Sequence, residues 1–157
     1  MTSQADSRRA ARLAAVQALY QMEMMGSGAE EVAQEFVEHR FGEFPVAPDT
    51  EFFASILNGV PQHQVEIDRA VAGALSEKWK LERVDSILRA ILRAGVFELV
   101  VRRDVPAKVV IDEYVAVAGA FFGADEPGFV NAALDTIARR KRAAEFGLPT
   151  PDDEPEF

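Results

Sequence analysis

Three arginines near the start of the chain, Arg8, Arg9 and Arg12, have the chemistry to hold phosphate. A guanidinium offers a planar fork that donates two parallel hydrogen bonds to an oxyanion. On a helix Arg8 and Arg12 share a face, about 40° apart around the axis, and Arg9 points to a neighbouring side. The outcome is a short basic edge. Cations at a helix N-terminus oppose the macrodipole by about 0.3 kcal/mol or more per charge, so arginines placed there serve something outside the helix. A solvated helix start is the competing reading.

Other residues qualify less clearly. Arg89, Arg93, Arg102, Arg103 and Lys108 outnumber Glu98 and Asp104, and Arg89 and Arg93 share a face. Solubilising charge beside a buried helix explains that stretch as well as a nucleic-acid surface does. The run Arg139-Arg140-Lys141-Arg142 suits a helix C-terminus, where the dipole favours cations. Phe129, in the first turn of its helix, is either core or a platform on which a base stacks, and the sequence by itself favours core. Asp112-Glu113 and Asp125-Glu126 lack a convergent nucleophile, metal ligand or histidine, so they make no acid–base site. Phosphate-binding glycine loops, G-x-S-x-G and H-E-x-x-H are all missing. The sequence therefore predicts a protein that is not an enzyme and needs no cofactor or metal.

Composition narrows the class further. With 157 residues, 48% hydrophobic and 27% charged, the chain suits one globular domain. It contains no cysteine, which excludes disulfides and thiolate sites and is compatible with a reducing cytoplasm. His39 and His63 have no ligand-spaced partner. No apolar run approaches the roughly 20 residues of a membrane span, and the N-terminus is no secretory signal. The net charge is −9, but Asp152, Asp153, Glu154 and Glu156 lie in the last six positions; without them 17 basic residues face 22 acidic ones, a balance of −5. Such a field disfavours indiscriminate polyanion binding and leaves room for a local basic patch.

The elements that must position these residues read as helices throughout. The first runs from an N-cap at Ser7 to Met24, with Leu13, Val16, Tyr20 and Met24 at helical spacing, and ends at Gly26. A second spans about Ala29 to Arg40, followed by a loop at Phe41–Pro48. A third, capped by Asp49 or Thr50, uses Phe52, Phe53, Ile56, Leu57 and Val60; Asn58-Gly59 and Pro61 predict its end or bend. The fourth covers Gln62 to Leu75 on Val65, Ile67 and Val71, and Trp79 sits in the connection after it. The fifth, about Glu82 to Arg102, has so wide an apolar stripe that it must be central, and Gly95 inside it predicts a close crossing. A sixth begins at Asp104-Val105-Pro106, carries Val109, Val110, Tyr114, Val117 and Phe121, and stops at Gly123. A seventh begins at Asp125-Glu126-Pro127. The predicted organisation is a disordered start (1–6), one all-α domain (7–142) and a disordered, acidic, proline-rich tail (143–157).

Four blocks taken together resemble the NusB family of bacterial transcription antitermination factors. They are Arg8-Arg9 through Tyr20, Ile91 through Leu99, Asp104 through Glu113, and Phe129-Val130-Asn131-Ala132-Ala133-Leu134-Asp135, in the family's order. The resemblance covers about Ser7 to Arg139. It implies a seven-helix fold with an N-terminal three-helix and a C-terminal four-helix subdomain. It also implies binding of single-stranded boxA RNA from ribosomal leader transcripts, jointly with NusE, a small-subunit ribosomal protein, in a complex that joins elongating RNA polymerase and suppresses termination. RNA contact would then fall to Arg8, Arg9, Arg12, Tyr20, Arg93, Phe129 and Asn131, with Asp125 or Glu126 tuning affinity. Some members dimerise when free, and for this chain the sequence leaves both states open.

The chain departs from the pattern at Ala10 and Ala11, which dilute the arginine cluster, at Gly128, where relatives can carry lysine, and at Ala132, where glycine is common. Two other readings stand beside this one. One is the NusB-like N-terminal domain of ribosomal RNA cytosine methyltransferases, a reading that expects a catalytic domain after this one and fails unless the chain is a fragment. The other is a helical adaptor with no RNA role.

Overall fold

The computed structural model describes residues 3–75, 81 and 84–149, and among them every regular element is helical. Helix α1 (Gln4–Met25) begins earlier than the Ser7 cap predicts, because Ser3 takes that role: its hydroxyl accepts the Asp6 amide hydrogen at 3.1 Å. Asp6 in the first turn suits the positive end of the dipole. Gly26 ends the helix at φ 68°, a left-handed conformation that glycine adopts without steric cost. The Ser7 carbonyl is used elsewhere, accepting the Asp49 amide at 3.0 Å and tying the start of the third helix to α1.

Helix α2 (Ala29–Glu35) does not run regularly to Arg40. It widens into a π-turn over Phe36–Arg40 and tightens into a 3₁₀ turn at Phe41–Glu43, where a loop was expected. The change of pitch lets two aromatics meet the same partner: Phe36 stacks on Phe53 with ring centres 5.8 Å apart, and Phe41 meets it edge-on at 4.9 Å. Helix α3 (Thr50–Gln62) is capped by Asp49, whose carboxylate accepts the Phe52 amide at 3.0 Å. Only His63 separates it from α4 (Gln64–Ala74), which buries Ile67 and Val71 but leaves Val65 68% exposed, contrary to expectation. Trp79 lies outside the described residues.

Helix α5 (Ser86–Val100) starts at an Asp85 cap, later than Glu82, and from Leu88 to Val100 every residue but Arg93 is buried. It is the centre of the molecule, packed by α1, α3 and α4 and by the last two helices, α6 (Ala107–Phe121) and α7 (Asp125–Lys141). Helices α1–α3 form the N-terminal three-helix subdomain and α4–α7 the four-helix one, with α1 lying across both through α5 and α6. On α6, Val109 is exposed although its spacing placed it with the inward residues.

Gly95 marks the close crossing predicted for it: a methyl there would lie 2.9 Å from Leu134 Cδ1. Gly59 does the same for α3, where a Cβ would stand 2.1 Å from Cε1 of the buried Phe97 ring. It is a packing residue that α3 runs through, and the expected end comes at Gln62, one residue past Pro61. Gly59→Ala gains helix propensity worth up to about 1 kcal/mol. It must also push an aromatic ring aside in a dense core, which costs about 1–3 kcal/mol and occasionally more. A net loss of stability in urea titration is expected, and an unchanged midpoint would contradict the close contact.

The segment from Ala143, assigned by sequence to the tail, is ordered at its start. Ala143–Phe146 form a 3₁₀ turn, Ala143 is buried, and Glu145 accepts the amide of Ala107 at 2.9 Å. Residues 150–157 lie outside the described residues.

Candidate nucleic-acid interface

The three α1 arginines have three different fates. Arg9 is displayed: its side chain is 66% exposed and leans on Glu113 of α6, donating from Nε at 3.0 Å and Nη2 at 3.5 Å. The Glu113 hydrogen bond and charge raise the Arg9 pKa, so the guanidinium carries its charge at any working pH. Arg8 is partly covered, with its guanidinium 4.6 Å from the centre of the Phe52 ring and 3.7 Å from Asp104.

Arg12 corrects the expectation of phosphate contact. Only 3% of its side chain is exposed, and it donates from Nε at 2.8 Å and Nη2 at 2.9 Å to the fully buried Glu98. Tyr114, also fully buried, donates its hydroxyl hydrogen to the same carboxylate. Burial opposes the charge on Arg12, but Glu98, Tyr114 and Glu113 outweigh it, and the Arg12 pKa is raised. Burial, followed by the Glu98 charge, pushes the Tyr114 phenol well above its usual value, keeping it a donor. An ion pair of this kind organises the interior and cannot reach a polymer outside. The dipole argument weakens as well: α1 starts at Gln4, so Arg8, Arg9 and Arg12 all lie beyond its first turn, where that interaction fades.

Arg93 is likewise engaged. It donates to Asp68 from Nε at 2.8 Å and Nη2 at 3.0 Å, with Glu23 at 3.7 Å, and its side chain is 16% exposed. Two carboxylates answer its charge, so it ties α5 to α4 and α1 rather than offering a phosphate contact. Arg142 also faces inward, donating to backbone carbonyls around the end of α5.

Of the remaining predicted residues, Tyr20 shares a seam with Arg9. Helices α1 and α6 run side by side from the Arg9–Glu113 contact to a groove of about 480 Å³ that Tyr20 lines together with Phe121, at the far end of both helices. Tyr20 is 36% exposed there. Four residues after Phe121 the chain enters α7, which places Asp125 (exposed) and Glu126 (half-buried) in its first turn. Phe129 follows, half-buried against the core, and Asn131 is exposed. Sequence reasoning missed Glu113 as the holder of Arg9 and Arg102 as the neighbour of Arg8. Both pairings join positions far apart in the chain, for which a single sequence carries no signal.

Fold and site together define a class: an all-helical, two-subdomain bundle with a cationic and aromatic seam along its first helix. The family model described as "NusB family" matches residues 9–139, and the chain belongs to that family. Two proteins described as transcription antitermination protein NusB are similar to it over most of their length. That of Maricaulis maris is 56% identical over 144 residues, spanning 88% of this chain and 90% of that one. That of Caulobacter vibrioides is 53% identical over 140 residues, spanning 86% and 94%. Among solved structures, T. maritima NusB has a TM-score of 0.74 at 30% identity, covering 94% of this chain and all of that one. A crystal structure of NusB and NusE with double-stranded RNA shares the fold, with a TM-score of 0.74 at 24% identity over 85% and 96% of the two chains.

Proposed function

We propose that this protein is a non-catalytic, cytoplasmic RNA-binding factor that takes up boxA-type single-stranded RNA of ribosomal leader transcripts together with NusE. The complex joins elongating RNA polymerase and suppresses termination. Membership of the NusB family supports this, as does the role named for relatives that match nearly end to end. The observation that carries it is the presentation of Arg9: a guanidinium two-thirds exposed, paired with Glu113 along its Nε–Nη2 edge and open along the other, on the seam that leads to Tyr20. Phosphates are neutralised at the Arg9 end, and unstacked bases meet Tyr20, Phe129 and Asn131, with Asp125 and Glu126 setting the local repulsion. Among the described residues no helix is long and apolar enough to cross a membrane.

A gel shift with boxA-like and scrambled RNA, with and without NusE, tests the reading. A preference for boxA that NusE strengthens is expected, and equal weak binding in every lane would sink it. In a salt series, changing Arg8 and Arg9 together to alanine should flatten the dependence of log K on log[salt] by about 1.4, at about 0.7 per phosphate contact for a single strand. An intact slope would remove both residues from the phosphate path.

A further inference from the structure

Phe52 of α3 is buried beneath three cations. The guanidinium carbons of Arg8, Arg12 and Arg102 lie 4.6, 4.8 and 4.4 Å from its ring centre. An aromatic ring attracts such groups, but three of them gathered on one ring also repel one another unless anions answer them. Two are answered. Arg12 has Glu98, while Arg102 donates to Asp104 from Nε at 3.0 Å and to the Ser55 hydroxyl from Nη1 at 2.7 Å.

Arg8 is the exception. Among the described residues it makes no hydrogen bond through its side chain, its Nε is buried without a partner, and its nearest carboxylate oxygen, on Asp104, is 3.7 Å away. One carboxylate thus serves two arginines, and it is 50% exposed at a point where Arg8 and Arg102 are 23% and 25% exposed. Arg103 and Lys108 flank Asp104 in sequence and are exposed, and Lys108 has no ion-pair partner among the described residues.

We propose that Arg8 and Arg102, resting on Phe52, form a seat for one backbone phosphate of the RNA, and that Asp104 is the internal carboxylate that fills this seat and tunes its affinity. This rests on the RNA-binding reading above. Two forked donors on a common floor match two phosphate oxygens, whereas Asp104 satisfies only the Arg102 fork and leaves Arg8 at ion-pair distance. RNA continuing from Arg9 passes the adjacent Arg8, so the polymer supplies the phosphate, and binding at the seat must displace Asp104 or share its cations.

The test is fluorescence anisotropy of labelled boxA-type RNA across a salt series, with NusE present, on the full chain and its variants. Asp104→Asn should tighten binding about threefold or more at low salt, because a competing charge is removed from the contact. Glu30→Gln, an equal change of net charge on an exposed position of α2, should change it less than about twofold through the general field. Arg102→Gln should weaken binding and lower the salt slope by about 0.7. In the Arg102→Gln background the gain from Asp104→Asn should shrink.

Equal effects of Asp104→Asn and Glu30→Gln, or an unchanged slope for Arg102→Gln, would overturn the seat while wild-type binding still stands. Failure of the wild-type protein to prefer boxA RNA would instead overturn the function on which the seat rests. Inorganic phosphate titrated at constant ionic strength should give no saturable heat; saturation would assign the seat to a free anion instead. Asp104 is half-exposed and caps no helix, so its variant carries the test even if Arg102→Gln unfolds.

Discussion

Replacing Glu98 with alanine is expected to cost the fold about 3–5 kcal/mol, the range for removing one partner from a buried ion pair. Glu98 has no exposed surface and accepts three hydrogen bonds, two from Arg12 and one from Tyr114. Without it the Arg12 charge stays in the interior with Glu113 at 3.6 Å as its nearest carboxylate, and the Tyr114 hydroxyl loses its acceptor. For a chain of this size each kcal/mol moves the melting temperature by about 2–4 °C, so a fall of about 10 °C is expected in a thermal melt. Adding Arg12→Met should restore much of the loss, because the uncompensated charge is then gone. A single variant that melts with the wild type would show that the network holds nothing together. RNA binding separates interior from surface here: the rescued double variant should keep the salt slope of the wild-type protein, since the Arg12 side chain is only 3% exposed.

Arg142→Ala is expected to be comparably severe, at about 3 kcal/mol or more. The last carbonyls of a helix have no partner within it. Arg142 supplies one for α5, donating from Nε to Leu99 at 2.8 Å and from Nη2 to Glu98 at 2.9 Å. It continues into the following turn with Nη1 to Val105 at 2.5 Å and Nη2 to Arg102 at 3.3 Å. Truncation leaves several buried oxygens unpaired at once, each worth about 1–3 kcal/mol if water cannot reach it. Lysine should rescue little, because a single ammonium cannot span carbonyls that a five-donor fork reaches together. Hydrogen exchange offers a local readout: amides of the α5 C-terminal turn should lose protection first. Unchanged protection there would refute the cap.

The sequence carries the fold unevenly. Apolar spacing located all seven helices, and the proline and glycine signals placed most of their ends within a few residues. It failed where a local signal had two meanings. Ser7 looks like a cap, yet Ser3, in the same chemical class, lies one turn earlier and takes that role. Gly59 beside Asn58 looks like a stop, but the absent side chain makes room for Phe97, which belongs to a helix distant in sequence. Val65 and Val109 have helical spacing, and only the packing of neighbours shows that no partner covers them.

The arginines show the same division more sharply. Residue type and spacing determined that positive charge would collect along the first helix and that the chain is helical, and four linked blocks carried the resemblance to the NusB family. Which arginine faces outward was decided by tertiary structure alone. Arg8, Arg9 and Arg12 are chemically identical and lie within about one turn of one another. Arg9 stays outside because Glu113 meets one edge of it at the surface, whereas Arg12 is drawn inward because Glu98, 86 positions away, arrives with α5. Arg8 rests between these because Phe52 and Asp104 come to it from α3 and the end of α5. The physical reason is that a guanidinium's fate depends on where its counter-charge lies, and in this fold every such counter-charge is brought from a different helix or its flanking turn.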